Sequence, residues 1–270
     1  MRAFVNHFAF EFRTGIRNKM LLLLNYLLPL GFYAMLGLLM TEINPTFRET
    51  MIAAMVVFAS MSSMLLGLPD PLVTAREAGI FRSYKINGVP AVSILAIPAL
   101  TTILHLVIVT IVITATAPLF FDAPLPVNWL SYALVFFLTA FACAGLGVLI
   151  GVVSSSSRMT VLWSQLIYLP SMIVGGLMIP YGMLPPAMRR VAQLLPATHA
   201  MNAFRGLAQG LPADFDPLGS LIVLLASGVL AFALAVWLFN WDSHNRTQRG
   251  HPLLGLLALL PYALGVLFLS

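Results

Sequence analysis

The chain has 270 residues, of which 60% are hydrophobic and only 9% are charged, and its mean hydropathy is +0.96. Soluble proteins carry about 25% charged residues, so this composition excludes a soluble globular fold and predicts a chain that has lipid as its solvent. The net charge is +5, but the basic residues are spread thinly between apolar blocks, which argues against binding of nucleic acid.

The first 19 residues predict a short amphipathic helix at the membrane interface. Phe4, Phe8, Phe12 and Ile16 repeat every four residues, and most of the arginines fall on the other side of such a helix. This pattern is typical of a helix that lies in the headgroup region. A disordered cytoplasmic tail is the alternative.

Seven uncharged apolar blocks follow, and six of them are long enough to cross the hydrocarbon core as helices. They predict an all-α, polytopic transmembrane bundle: six core spans within residues 20–240, then a basic linker and an extra hydrophobic segment within residues 241–270. The blocks are residues 20–40, 51–68, 91–117, 129–153, 159–180, 218–239 and 253–269. The seventh contains Pro261, so it is predicted either as a seventh span or as a bent hairpin at the interface.

The distribution of basic residues predicts the orientation. With the N-terminus in the cytoplasm, ten of the 14 lysines and arginines lie on the cytoplasmic side. The four on the outer side are Arg48, Arg189, Arg190 and Arg205. This is the positive-inside bias, and we expect a multi-pass protein of the cell's inner (cytoplasmic) membrane, in contact with its lipids.

Sequence motifs for catalysis are missing. The sequence has no P-loop, no zinc-ligand cluster and no nucleophile elbow, so we expect no catalytic residue and no metal site. The apolar blocks contain no Asp or Glu, which weakens the case for an ion-coupled transporter. His105 is a candidate polar site inside the membrane, although a hydrogen bond between helices is the simpler interpretation. Gly147 and Gly151 predict a close helix contact.

Residues 69–90 are the longest polar interruption in the first half of the chain. They combine apolar side chains such as Leu72, Phe81 and Tyr84 with several charges. A short helix of this kind could insert its apolar side into a groove of a soluble protein or lie against lipid headgroups. The sequence leaves both interpretations open.

Residues 181–216 follow the fifth block and contain several prolines and three arginines. Each arginine costs about 2.5–3.5 kcal/mol at the bilayer centre, so this segment is not a full span. We expect a partly re-entrant cap on the outer face, with its arginines at the interface.

These two segments together resemble the membrane permease of a type-2 ABC transporter, the second type of ABC exporter. Residues 76–79, with the sequence Arg-Glu-Ala-Gly, and the following residues 82–90 resemble that family's coupling segment. The resemblance implies coupling residues at Arg76, Glu77, Gly79, Phe81 and Arg82. It also implies structural signature positions in the outer cap at Pro180, Pro185, Pro196 and Arg205.

The resemblance implies a half-transporter that is not itself an enzyme. Two permeases, identical or different, would face each other, and each would dock a separate cytoplasmic ATP-binding cassette subunit. That partner would bind ATP and Mg, and this chain would bind no cofactor. Alternating access would then export a cargo, and the apolar spans favour a hydrophobic or amphipathic one, such as a drug, an antibiotic or a lipid-like molecule. The alternatives are a secondary transporter driven by an ion gradient and a membrane scaffold or intramembrane enzyme.

Overall fold

The computed structural model describes residues 13, 18–44, 46–242 and 250–269, and all regular structure in these ranges is helical. The helix predicted over residues 1–19 falls outside the described residues except for its last positions and Arg13, as does most of the linker after residue 241. The prediction of an all-α, polytopic bundle is confirmed.

Within the described ranges, five helices are long and apolar enough to cross a membrane. They are α1 (Lys19–Ile43), α2 (Phe47–Glu77), α4 (Ala91–Phe121), α5 (Trp129–Val153) and α9 (Pro217–Leu238). The shorter helices are α3 (Ile80–Ile86), α6 (Ser157–Val174), α7 (Pro186–Ala192), α8 (Pro196–Ala203) and α10 (Pro252–Phe268). The predicted fifth block corresponds to α6, which ends before Gly175.

Helix α2 forms the centre of the bundle. Residues 51–65 are all buried, and the surrounding helices include α1, α4, α5 and α8. Small residues let α5 approach it: a Cβ at Gly147 would collide with the backbone of Met64, and one at Gly151 would lie 3.0 Å from the Pro69 oxygen. The close contact predicted from these two glycines is therefore confirmed.

Local sequence explains where several helices begin. Asn128 precedes α5 and its side chain accepts a hydrogen bond from the Ser131 amide at 3.0 Å. Asp216 precedes α9 and accepts from the Leu218 and Gly219 amides. Both side chains satisfy amides that lack partners in the first turn of a helix.

Helix α10 runs along α9 in the opposite direction. Gly250 lies beside Leu238, and Leu269 lies beside Gly219 at the other end of α9. The first eight residues of α10 form a 3₁₀-helix and the last nine an α-helix. At about 2.0 and 1.5 Å per residue these parts add to about 30 Å, the thickness of the hydrocarbon core. Pro261 sits in the first turn of the α-helical part and does not bend the segment into a hairpin.

Candidate functional site

The site predicted between residues 69 and 90 lies at one end of the bundle, where α2, α5 and α9 terminate. We call this end, with α3 and the termini of those helices, the coupling end. The opposite end carries residues 175–216 and is called the cap end.

Arg76 lies in the last turn of α2, and its side chain is buried. One guanidinium nitrogen donates a hydrogen bond to the Val152 carbonyl at 2.9 Å, and the other donates to the Ser154 carbonyl. Carbonyls at the C-terminus of a helix lack intrahelical donors and carry partial negative charge. Arg76 therefore joins the end of α2 to the end of α5 and points into its own chain.

Gly79 turns the chain between α2 and α3. Its φ of 72° lies in the left-handed region, which residues other than glycine rarely adopt. A Cβ at this position would meet no atom within 4 Å, so the backbone angle, and not space, explains the glycine. The neighbouring Glu77 is exposed at the surface.

Phe81 and Arg82 connect α3 to the residues that follow α9. Phe81 is buried, and its ring lies 5.3 Å from that of Phe239, which in turn lies 5.1 Å from that of Trp241. The Arg82 Nε donates to the Asp242 carboxylate at 2.8 Å. These two predicted coupling residues thus make contacts inside the chain. Arg82 is nevertheless partly exposed, and α3 also leaves Ile80, Lys85 and Ile86 exposed.

The predicted cap positions lie together at the cap end. Pro180 precedes the 3₁₀ turn Tyr181–Met183, Pro185 precedes α7, and Pro196 begins α8. Arg205 donates a hydrogen bond to the Pro212 carbonyl at 3.1 Å.

Two further polar residues hold the cap together and were not predicted as site residues. Asn202 donates to the Phe215 carbonyl at 2.9 Å and to the Ser220 hydroxyl at 3.0 Å, and it accepts from the Asp214 amide at 2.8 Å. It thereby joins α8 to the start of α9. A single asparagine in a polar segment gives no sequence signal for these distant contacts.

His199 is the other of these residues, and it is fully buried in α8. Its Nε2 forms a hydrogen bond with the Gln193 carbonyl at 2.8 Å, and its ring packs against Phe215 and Tyr262. Burial lowers the pKa of His199 to about 4, because desolvation disfavours the charged imidazolium. The imidazole is therefore neutral at neutral pH.

His105 lies in α4 and is buried. Its Nδ1 is 2.7 Å from the Tyr26 hydroxyl of α1. This hydrogen bond joins two helices, as the simpler interpretation of the sequence predicts. His105 lies in the middle of α4 and so belongs to neither the coupling end nor the cap end.

The fold and this site define a polytopic helical membrane protein with a short cross-helix between its second and third long helices. Residues 3–208 match the family model described as ABC-2 type transporter. The chain therefore belongs to the ABC-2 type transporter family, and it is a multi-pass membrane permease of that class.

A curated relative supports the same assignment. The chain is similar to the protein named "Putative transport permease YvfS" of Bacillus subtilis (strain 168), with 23% identity over 228 residues. The aligned region covers 83% of this chain and 91% of that protein. No solved structure gives a significant match.

Proposed function

We propose that this permease is one half of an ATP-driven exporter and that a separate ATP-binding subunit docks at its coupling end. The observation that carries the proposal is α3, a short helix that the chain holds in place from two sides. Arg76 joins the preceding helix to α5, and Phe81 and Arg82 join α3 to the end of α9.

The exposed side of α3 offers the docking surface. Ile80 and Ile86 are exposed apolar residues next to the charged Glu77 and Lys85. An exposed apolar side chain ringed by charges is typical of a protein interface. Helix α3 follows α2 directly and contacts residues just after α9, and Arg76 joins the end of α2 to α5. A displacement of the docked subunit would therefore act on three long helices.

The cargo proposed is hydrophobic or amphipathic. The long helices carry buried hydroxyl groups, such as those of Thr110 and Thr139, and no acidic residue within their apolar blocks. A pathway lined by such residues offers apolar surface with few fixed charges, which suits a cargo of low charge. A second permease subunit, identical or different, would complete that pathway.

The docking surface can be tested with two matched variants. Ile86 is 85% exposed at the coupling end, and Val127 is 77% exposed near the cap end. Tagged wild-type protein, Ile86→Asp and Val127→Asp would be solubilised from the native membrane and purified, and the ATPase activity of each eluate would be measured. We expect wild type and Val127→Asp to retain a co-purifying P-loop subunit and Ile86→Asp to lose it, since a carboxylate in an apolar contact costs several kcal/mol.

Three results would count against the proposal. Retention of the subunit by both variants would exclude α3 as the docking surface. Loss in Val127→Asp alone would place the partner at the cap end and invert the topology. Wild-type protein that transports cargo in vesicles without any ATPase subunit would favour transport driven by an ion gradient.

A further inference from the structure

Two cavities adjoin at the coupling end, beside α10. The first has a volume of about 120 Å³ and lies between α5, α6 and α10, with Leu149, Trp163 and Leu256 among its apolar walls. The second has a volume of about 150 Å³ and is lined by polar as well as apolar groups. Val153 and Pro252 line both cavities, so the two together form one cleft, which we call the amphipathic cleft.

The polar half of the cleft presents hydrogen-bond donors, the Arg76 guanidinium and the Asp242 carboxylate, which is paired with Arg82. Its walls include Arg76, Ser154, Ser155, Asn240 and Asp242. The Ser154 hydroxyl is buried and has no hydrogen-bond partner. A buried polar group left unpaired costs about 1–3 kcal/mol, which a ligand oxygen at this position would offset.

The position of the cleft matches the depth of a lipid. Its polar half lies at the ends of helices, since Val153 is the last residue of α5 and Leu238 the last of α9. Its apolar half lies alongside the bodies of α5 and α6. In a membrane, helix ends reach the headgroup region and helix bodies face hydrocarbon, so the cleft changes from polar to apolar in the same direction as a phospholipid does.

We propose that the amphipathic cleft binds one membrane phospholipid, with an acyl chain in the apolar half and the phosphate at Ser154 and Arg76. The cleft depends on α10, which supplies one wall of the apolar cavity and Pro252 of the polar one, and which lies outside the residues 3–208 that match the family model. A bound lipid would therefore fill the space between α10 and the rest of the bundle. The proposal rests on the membrane location of the chain and is independent of cargo and of ATP coupling.

The test uses two leucines of α10 with equal exposure. Leu256 lines the apolar cavity and is 50% exposed, whereas Leu264 lines neither cavity and is 51% exposed. Full-length wild-type protein, Leu256→Trp and Leu264→Trp would be purified in mild detergent, and phosphatidylethanolamine bound to each would be quantified by native mass spectrometry during a lipid titration. We expect one retained lipid per chain in wild type and Leu264→Trp. In Leu256→Trp the indole displaces part of the acyl chain, and loss of about two buried methylene groups weakens binding by roughly tenfold.

Equal lipid retention by all three proteins, or equal loss in both variants, would overturn the proposal. Either result would indicate that lipid covers the protein surface without occupying a defined site. A second measurement covers the case in which Leu256→Trp does not fold. Brominated phosphatidylethanolamine should quench the fluorescence of Trp163 in wild-type protein with a saturable dependence on lipid in excess detergent, and Trp163→Phe should lack that component. Quenching that is unsaturable, or unchanged in Trp163→Phe, would also overturn it.

Discussion

Replacing Arg76 with Met tests whether this residue stabilises the bundle or contacts a partner. The substitution keeps an apolar stem of similar length and removes both hydrogen bonds to the C-terminus of α5. A hydrogen bond that involves a charged group contributes about 1.5–3 kcal/mol, but part of this is offset because Arg76 is no longer desolvated. We therefore expect Arg76→Met to lower the free energy of unfolding by about 2–4 kcal/mol.

The assay is thermal unfolding in detergent, followed by intrinsic fluorescence. For a chain of this size, 1 kcal/mol corresponds to about 2–4 °C, so a loss of about 2–4 kcal/mol in Arg76→Met should lower the Tm by roughly 4–16 °C. Arg76→Lys keeps the charge but cannot reach both carbonyls with a planar fork. Its Tm should lie between those of the wild type and Arg76→Met. Glu77→Gln, at the next and exposed position, is the matched control. It removes a charge that attracts the Arg76 guanidinium but neither hydrogen bond, so it should change the Tm by at most about 4 °C.

The result that refutes the reasoning is specific. If Arg76→Met has the Tm of the wild type and yet loses the co-purifying ATPase subunit, Arg76 acts on the partner. The hydrogen bonds to α5 would then contribute nothing measurable to stability.

Two more predictions concern stability alone. The pKa of His199 is lowered to about 4, so between about pH 6.5 and 4 only the unfolded state binds a proton at this histidine. The free energy of unfolding should therefore fall by about 3 kcal/mol in all as the pH is lowered through this range. His199→Gln should flatten a stability profile measured over the same range, and an unchanged profile would contradict the assignment. Gly147→Ala should cost about 1–3 kcal/mol because its Cβ meets the α2 backbone, whereas Gly31→Ala, with open space around it, should be neutral or slightly stabilising in the same Tm assay.

Much of the fold could be predicted because the apolar blocks are long and separated by prolines, glycines and charges. The block at residues 91–117 corresponds to Ala91–Phe121, and the one at 129–153 has the same bounds as α5. The segment at residues 69–90 could also be recognised in the sequence, because it mixes aromatic and charged residues between two spans. Hydropathy is a property of neighbouring residues, so a single sequence is enough to reveal it.

Contacts between distant residues could not be predicted in the same way. The sequence predicted that Phe81 faces a partner groove or lipid, but its ring packs on Phe239, which lies 158 residues further along the chain. The bonds of Arg76 to α5 and of Asn202 to the start of α9 are equally remote in sequence. Such pairs depend on which helix ends meet, and no local pattern encodes that.

These distant contacts explain how a small helix such as α3 could act on the whole bundle. At the coupling end, Arg76 joins α2 to α5, and Phe81 joins α3 to the end of α9. At the cap end, Asn202 joins the start of α9 to α8. Packed helices are stiff along their length, so we infer that α9 is the element through which a displacement of α3 would reach the cap. Helix α2 alone would not suffice, because its middle is buried on all sides, and moving it would require every neighbouring helix to move as well.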